Sequence, residues 1–263
     1  MIITIASGKG GVGKTTTSAN LGVALSKIGK KTLIVDGDIS MANLGLIFNF
    51  EKNRPSLHDV LSGECDVKDA IYKHKTGAHI LPTSLSIEGY KRSDLDLFPE
   101  VISDVADDYD YVIIDAPAGL NRDMAIHLAI ADKVLIVLTP ELFSIADGIK
   151  IKQSSEMAGT SILGAVLNRT GRDFGEMGID EIEMIVHEKV ISTIPEDENI
   201  RNATLKRMSV IEYSPKSPSS KAYMELALKI VGSYVDMNKI EEEVYNKSFI
   251  DKVKRIFLRF KNK

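Results

Sequence analysis

The chain has 263 residues, of which 44% are hydrophobic and 27% are charged, a balance typical of a globular protein with one large domain or two smaller ones. It excludes a largely disordered chain and a collagen, and the single cysteine, Cys65, excludes an internal disulfide and cannot by itself hold a zinc or iron–sulfur centre. Residues 247–263 hold seven lysines and arginines against one acid, a charge of +6 that leaves −10 for the rest of a chain whose net charge is −4, and an acidic body argues against general binding of nucleic acid.

Short apolar runs alternate with helical patterns along most of the chain, which is typical of βαβ units and a parallel sheet. The predicted strands are Ile2–Ala6, Thr32–Val35, His79–Leu81, Tyr111–Ile114, Val134–Leu138, Leu163–Leu167 and Val190–Ile194. Several of these runs are continuously apolar, as expected of strands that helices cover on both faces. The predicted helices are one over residues 21–28 that ends at Gly29, one over Leu57–Leu61 that Ser56 caps, and one over Ser219–Val235.

A glycine-rich segment lies between the first predicted strand and the first predicted helix, and it fits the pattern G-x-x-x-x-G-K-[ST] that binds nucleotide phosphates in this context. Glycines let the backbone point successive N–H groups at phosphate oxygens, and the helix N-terminus adds positive potential. We expect Lys14 to contact the β- and γ-phosphates, Thr15 to ligate Mg²⁺ and Thr16 to bond the α-phosphate. The predicted nucleotide-binding residues of the loop are Gly8, Lys9, Gly10, Gly11, Val12, Gly13, Lys14, Thr15 and Thr16. The alternative is a glycine-rich turn without a ligand.

Acidic residues end two of the predicted strand segments: Asp36 and Asp38 follow one, and Asp115 follows another. The carboxyl ends of parallel strands form the ligand edge of an open α/β sheet, so we expect these carboxylates beside the phosphate loop. Asp115, after four apolar residues, fits a Walker B strand, whose aspartate holds Mg²⁺, often through water. An acid after a strand can also cap a turn, and this is the alternative for Asp38.

These motifs resemble the MinD/ParA family of ATPases. The loop Gly8–Thr15 is similar to the deviant Walker A motif of that family because of its extra lysine, Lys9, and Asp115–Gly119 is similar to the switch II segment of the MinD branch. The resemblance runs over residues 1–235 and implies a P-loop NTPase fold, an α/β three-layer sandwich with a mostly parallel sheet of about seven or eight strands. It also implies that Lys9 reaches the partner's nucleotide in an ATP dimer; the alternative is a solvated loop lysine.

The same resemblance places a switch I segment after the second strand, with Asn43 belonging to it. Asp38 then orients the attacking water, and Asp36 lies nearer the Mg²⁺ ion. The predicted catalytic residues are Lys9, Lys14 and Asp38, and the predicted metal residues are Thr15, Asp36, Asp38 and Asp115.

Two later loops are predicted to bracket the adenine, because in related ATPases the corresponding loops do so. Asn168 and Arg169 end one strand, and Pro195, Glu196 and Asp197 end the next. An asparagine side chain offers a donor and an acceptor, which suits the N6/N1 edge of adenine, although Asn168 is alternatively a turn residue. No N/T-K-x-D element of GTPases follows these strands, which favours ATP over GTP.

The basic C-terminal segment carries an apolar stripe at helical spacing. Because lysines and arginines lie mostly off this stripe, the pattern is that of a helix resting in a lipid interface; the alternative is a last helix docked on the core. The predicted membrane-binding residues are Phe249, Val253, Ile256, Phe257 and Phe260. The predicted organisation is an ATPase domain over residues 1–236, a linker helix or tether over 237–247 and a membrane-targeting tail over 248–263.

The resemblance predicts an archaeal or bacterial MinD-like ATPase with ATP and Mg²⁺ as cofactors. It would form a homodimer with ATP, bind anionic membrane from the cytoplasmic side, hydrolyse ATP slowly and position cell division or another apparatus with an unidentified protein regulator or cargo. No long apolar run and no secretory signal are visible, in agreement with a cytoplasmic protein. The alternatives are a ParA-type DNA-partition ATPase, against which the acidic body argues, and a nucleotide-gated adaptor with little hydrolysis. An iron–sulfur scaffold is excluded by the single cysteine, and Glu141 and Asp147 are held as either partner-facing or ordinary surface acids.

Overall fold

The structure is a computed structural model that describes residues 1–50, 54–172 and 175–232. In this part of the chain one sheet of eight strands lies between two layers of helices. The strands are β1 (Ile2–Ala6), β2 (Thr32–Asp36), β3 (Tyr72–Lys73), β4 (His79–Leu81), β5 (Tyr111–Asp115), β6 (Lys133–Leu138), β7 (Ser161–Thr170) and β8 (Val190–Pro195). The helices are α1 (Lys14–Lys27), α2 (Leu44–Ile47), α3 (Leu57–Leu61), α4 (Ile87–Arg92), α5 (Phe98–Ala106), α6 (Arg122–Ala129), α7 (Leu142–Met157), α8 (Ile179–Val186), α9 (Glu198–Leu205), α10 (Val210–Tyr213) and α11 (Pro218–Val231). Two 3₁₀ turns cover Val67–Ala70 and Leu95–Leu97.

The strand order is β3-β4-β2-β5-β1-β6-β7-β8, and all pairs are parallel except β3 with β4. The fold predicted from the sequence, an α/β sandwich around a mostly parallel sheet, is confirmed. Strand β1 lies between β5 and β6, so the loop that follows β1 meets the carboxyl ends of its neighbours at one edge of the sheet. That edge is where open α/β sheets bind ligands.

Alternate residues of the strands face opposite helical layers, as the pleat of a strand requires. In β2, Ile34 packs in the core cluster with helices α1 and α11, whereas Leu33 and Val35 pack in the cluster with α3 and α5. A third cluster joins β6 and β7 with α6, α7 and α8. Because both faces of the sheet are covered, the central strands are apolar at nearly every position, which explains the continuous runs in the sequence.

All seven predicted strands are present, and the structure adds β3, which the sequence pattern missed. This strand has two residues and pairs antiparallel with β4, so it is too short to show an alternating pattern. The predicted capping of α3 by Ser56 is confirmed, and Asp59 completes a capping box by accepting a 2.7 Å hydrogen bond from the Ser56 N–H.

The prediction of a last helix over Ser219–Val235 is corrected at both ends. Helix α11 begins at Pro218, because a proline at the first helical position loses no hydrogen bond, and it ends at Val231. Gly232 follows with a left-handed φ of 74°, a conformation that glycine adopts without steric cost and that commonly terminates helices. The predicted linker and tail, residues 237–263, lie outside the described residues.

Among the described residues, no helix is both long enough and apolar enough to cross a bilayer.

Candidate nucleotide-binding site

The glycine-rich loop turns from the end of β1 into the first turn of α1. Gly11 and Gly13 have left-handed φ values of 80° and 99°, which explains why the loop needs glycine at these positions. Gly13 is the N-cap of α1, so the unpaired N–H groups of the first helical turn point out at the ligand edge. Lys14 is only 8% exposed, whereas Lys9 extends from the loop into solvent.

Asn168, from the end of β7, is tied directly to this loop. Its side-chain Nδ2 donates a 2.7 Å hydrogen bond to the carbonyl oxygen of Val12, and its Oδ1 is buried without a partner. The amide lies so close that a Cβ atom on Gly13 would be 2.2 Å from the Asn168 Nδ2. Asn168 therefore supports the phosphate loop, and its buried Oδ1 is an acceptor without a partner.

We predict that Gly13→Ala destabilises the nucleotide-free protein by about 2–3 kcal/mol, because it adds left-handed strain and displaces the Asn168 amide from Val12. Gly63→Ala is the matched control: Gly63 also has a left-handed φ, of 75°, but a Cβ there would meet nothing within 4 Å. The free energy of unfolding of the control should fall by about 1 kcal/mol, which is the cost of the backbone strain alone. Urea unfolding measures both values, and equal losses would show that the contact with Asn168 has no energetic weight.

Asp36 and Asp115 are the last residues of the neighbouring strands β2 and β5 and lie opposite each other in the parallel register. Both are buried, with exposures of 0% and 1%. Ser18 donates a 3.0 Å hydrogen bond to Asp115 Oδ1, and the N–H of Leu44 donates a 3.1 Å bond to Asp36 Oδ2. The other oxygen of Asp36, Oδ1, is buried without a partner.

The buried carboxylates of Asp36 and Asp115 have raised pKa values, and a bound cation would offset the cost of ionising them. Burial raises the pKa of Asp115 to about 6, although hydrogen bonds from Thr15 and Ser18 and the charge of Lys14 oppose the shift. Burial, together with the negative charge of Asp115, raises the pKa of Asp36 well above its usual range. A bound divalent cation would neutralise these carboxylates and use the unpaired Asp36 oxygen, so the residues present fit Mg²⁺.

Among the described residues there is no group of three or more His, Cys, Asp or Glu side chains that could hold a metal by themselves. This agrees with a Mg²⁺ ion that takes one or two carboxylates and completes its shell with substrate phosphates and water. The four predicted metal residues lie near one another: Thr15 donates to the Asp115 carboxylate, and the charges of Asp38 and Asp115 both act on Asp36. Their roles toward the ion remain predictions.

Asp38 lies on the predicted switch I segment, residues 37–43, between β2 and α2. It is half-buried, and its Oδ1 accepts hydrogen bonds of 3.0 Å from the Ser40 hydroxyl and 3.1 Å from the Met41 N–H. The start of the segment is tightly enclosed, because a Cβ on Gly37 would lie 2.5 Å from Nε2 of the buried His127. Sequence spacing gives no sign of this contact, since it joins residues that are 90 positions apart.

The predicted adenine loops form the walls of one cavity of about 440 Å³ beside the phosphate loop. Its lining includes Gly13 and Thr16 from the loop, the predicted residues Asn168, Arg169, Pro195, Glu196 and Asp197, and, beyond the prediction, residues of α9. The unpaired Asn168 Oδ1 is an acceptor of the kind that an exocyclic amino group would satisfy. The cavity therefore fits a purine base whose phosphates lie on the loop.

Asp197 connects two segments of the cavity lining through hydrogen bonds to its carboxylate. Its Oδ1 accepts a 2.9 Å bond from the Asn199 N–H, and its Oδ2 accepts a 2.6 Å bond from the Ser219 hydroxyl. Burial alone would raise the pKa of Asp197, but the hydrogen bonds from Ser219 and Asn199 outweigh it and lower the pKa. The Asp197 carboxylate thus joins the start of α9 to Ser219 in the first turn of α11.

Two further residues, Ser18 and Asp147, contact the predicted site residues. Ser18 lies four residues after Lys14 on α1, a helical spacing that places it on the same face and could have revealed its bond to Asp115. Asp147 packs against the phosphate loop, since a Cβ on Gly8 would lie 2.6 Å from its Cβ, and it pairs with Lys150. Glu141 precedes α7 and is exposed.

Comparisons with known proteins agree with this geometry. Residues 1–154 match the AAA domain family, and residues 99–251 match the 4Fe-4S iron sulfur cluster binding proteins of the NifH/frxC family. The second stretch contains no cysteine, because the single cysteine of the chain is Cys65, so it lacks the thiolate ligands of such a cluster.

An uncharacterized ATP-binding protein of Methanocaldococcus jannaschii is 67% identical over 257 residues, which cover 98% of each chain. The structure of the cell division ATPase MinD from Pyrococcus furiosus is 40% identical, with a TM-score of 0.85 over 88% of this chain and 98% of that one. The septum site-determining protein MinD of Pyrococcus horikoshii, solved with Mg-ADP, is 37% identical, with a TM-score of 0.84 over 87% of this chain and 95% of that one.

Proposed function

Because this chain belongs to the MinD/ParA family of ATP-binding P-loop proteins, we propose that it is a MinD-like ATPase that binds Mg·ATP, dimerises and hydrolyses ATP slowly while bound to a membrane. The observation that carries the proposal is the cavity of about 440 Å³ beside the phosphate loop, whose lining joins Gly13 and Thr16 to Asn168 and the loop after β8. A nucleotide with its base in the cavity and its phosphates on the loop would be bound by one continuous site. In this role the protein would position cell division or another cellular apparatus.

Each part of the site has a task in hydrolysis. The loop N–H groups and Lys14 would hold the phosphates, and Thr15, Asp36 and Asp115 would hold Mg²⁺, which would supply neutralisation of the phosphate charge. Asp38 orients the attacking water. Catalysis by such a site is positioning and charge stabilisation, so turnover is slow unless a partner completes it.

The exposure of Lys9 supports a role in trans. Its side chain extends from the loop into solvent, where a second copy of the chain facing the same edge would bring its nucleotide within reach. There the ammonium group would stabilise charge on the transferred phosphoryl, as an arginine finger does in other NTPases.

We predict that Asp38→Ala gives an ATP-loaded dimer that persists and that Lys9→Ala binds ATP but fails to form a productive dimer. Light scattering coupled to size exclusion, with Mg·ATP and with Mg·ADP, measures the oligomer, and calorimetry measures the nucleotide affinity. Lys27→Ala, an exposed lysine in the last turn of α1, is the matched control and should behave as the parent. A Lys9→Ala protein with normal ATP-dependent dimerisation and turnover contradicts the role in trans.

The membrane part of the proposal depends on the basic amphipathic pattern of residues 248–263. Each lysine or arginine near an anionic surface contributes about 1 kcal/mol, so one short tail binds only marginally. Two tails on one ATP dimer would gain avidity, which makes membrane residence depend on the nucleotide.

We predict that the parent floats with anionic liposomes in the presence of ATP, floats much less with ADP, and that deletion of residues 248–263 abolishes flotation while ATP binding is retained. Neutral liposomes and a salt series are the controls. Equal flotation of the truncated protein, or equal binding to neutral lipid at every salt concentration, contradicts the membrane anchor.

A further inference from the structure

His58, on the short helix α3, connects two segments at the ligand edge. It is 1% exposed, its Nε2 lies 2.9 Å from the carbonyl oxygen of Ile39, and its Nδ1 lies 2.9 Å from the hydroxyl of Ser84. Ile39 directly follows Asp38 in the switch I segment, and Ser84 lies in the loop that follows β4. The ring also fills its space closely, since a Cβ on Gly89 would lie 2.9 Å from Nδ1.

The partners of the ring determine its tautomer. A carbonyl oxygen only accepts, so Nε2 must carry the hydrogen that binds Ile39, and Nδ1 then accepts from the Ser84 hydroxyl. Burial lowers the pKa of His58, so the ring is neutral at pH 7 and this single arrangement satisfies both nitrogens. Ser84 therefore orients His58, and His58 holds Ile39.

The bonds of the Asp38 side chain stay within the turn, since the Ser40 hydroxyl and the Met41 N–H both donate to its Oδ1. The two ends of the segment are held by the neighbouring strand ends: the Gly37 N–H donates a 2.9 Å bond to the Asp115 carbonyl oxygen, and the Leu44 N–H donates to Asp36 Oδ2. Between these ends, next to Asp38, the tether is the bond from His58 to the Ile39 carbonyl oxygen, and α3 itself packs in the buried core.

We infer that His58 is a positioning residue for hydrolysis: it holds the Ile39 carbonyl and so places the Asp38 carboxylate for the attacking water. The inference rests on the proposed ATPase function. A misplacement of a catalytic group by about 1 Å lowers turnover by up to about a hundredfold, whereas nucleotide affinity depends on the loop and the adenine cavity, which His58 does not touch.

The test compares His58→Phe, which keeps an aromatic ring but loses both hydrogen bonds, with His58→Gln, whose amide nitrogen lies about as far from Cβ as Nε2 and donates to the same carbonyl. We expect His58→Phe to lower kcat about tenfold to a hundredfold with KM for ATP unchanged within about twofold, and His58→Gln to restore most of kcat. Ser84→Ala keeps the imidazole but removes its orienting donor, and it should lower kcat by a smaller factor. His79→Phe is the matched control, because His79 also loses a ring hydrogen bond, to Tyr109, but lies at the opposite end of β4.

Hydrogen exchange in the Mg·ATP state supplies a readout besides activity. Amides of residues 40–44 should exchange about tenfold faster in His58→Phe than in the parent and return toward the parent rate in His58→Gln. Equal losses of kcat in the Phe and Gln variants, a raised KM with unchanged kcat, or unchanged exchange in a folded His58→Phe protein would overturn the inference. If His58→Phe does not fold, Ser84→Ala decides: parent-like kcat and exchange in that variant also overturn it. A parent without ATPase activity defeats the proposed function instead, and the exchange rates still decide whether His58 holds the turn.

Discussion

Lys14→Ala is expected to weaken ATP binding by about a hundredfold or more. Lys14 is only 8% exposed and its charge acts on the buried carboxylate of Asp115, whereas Lys9, the other lysine of the loop, is exposed. Charge-assisted hydrogen bonds contribute about 1.5–3 kcal/mol each, and the loss of contacts to two phosphates corresponds to at least two factors of ten in affinity. Isothermal titration calorimetry with Mg·ATP measures the change.

The control for this experiment is Lys27→Ala, which removes a lysine from the far end of the same helix, where its side chain is exposed. It should bind ATP as the parent does. Thermal unfolding without nucleotide checks that the Lys14→Ala protein is folded. A folded Lys14→Ala protein with the parent's affinity for ATP would show that the loop is not a phosphate site.

Asp115→Asn is expected to stabilise the nucleotide-free protein at pH 7 by as much as about 3 kcal/mol. The reason is the raised pKa of about 6 in the folded state, compared with 3.8 for an ordinary aspartate. Above pH 6 the buried group is ionised at a cost of about 1.4 kcal/mol for each unit of the shift, and the neutral asparagine avoids this cost.

The direction of the pH dependence follows from the number of bound protons. Between about pH 4 and pH 6 the folded state holds a proton on Asp115 that the unfolded state has lost, so the stability of the parent falls as the pH rises through this window. The advantage of Asp115→Asn should therefore be greatest above pH 6 and vanish near pH 4. Urea unfolding of both proteins at several pH values measures the difference.

Asp104→Asn, which replaces an exposed carboxylate on α5, is the matched control and should change stability little at any pH. Mg·ADP should raise the Tm of the parent more than that of Asp115→Asn, because the ionised carboxylate that costs stability without the ion is the group that holds it. An advantage of Asp115→Asn that is the same at pH 4 and pH 7 would contradict the assignment of the shifted pKa to Asp115.

The sequence by itself determined the central strands and the phosphate loop, because the conformation of each depends on consecutive residues of the chain. Continuous apolar runs predicted β5 and β6, since each residue of a strand covered on both faces is buried whatever its partners are. The loop before α1 was readable for the same kind of reason: Gly11 and Gly13 are needed for the local φ values of 80° and 99°. Features that depend only on neighbouring residues can therefore be predicted from the sequence pattern.

The tertiary structure alone decided how distant side chains complete the site. Asn168 donates a hydrogen bond to the carbonyl of Val12, 156 positions away in the sequence. His58 on α3 bonds to the carbonyl of Ile39 in the turn after β2, and the Ser219 hydroxyl donates to Asp197. Spacing gives no sign of such pairs, because contacts between distant segments are set by strand order and helix packing. The sequence predicted Asp36 and Asp115 as metal residues, but only the packing shows that the two carboxylates are buried opposite each other, which raises the pKa of both and makes them a pair that a divalent cation would neutralise.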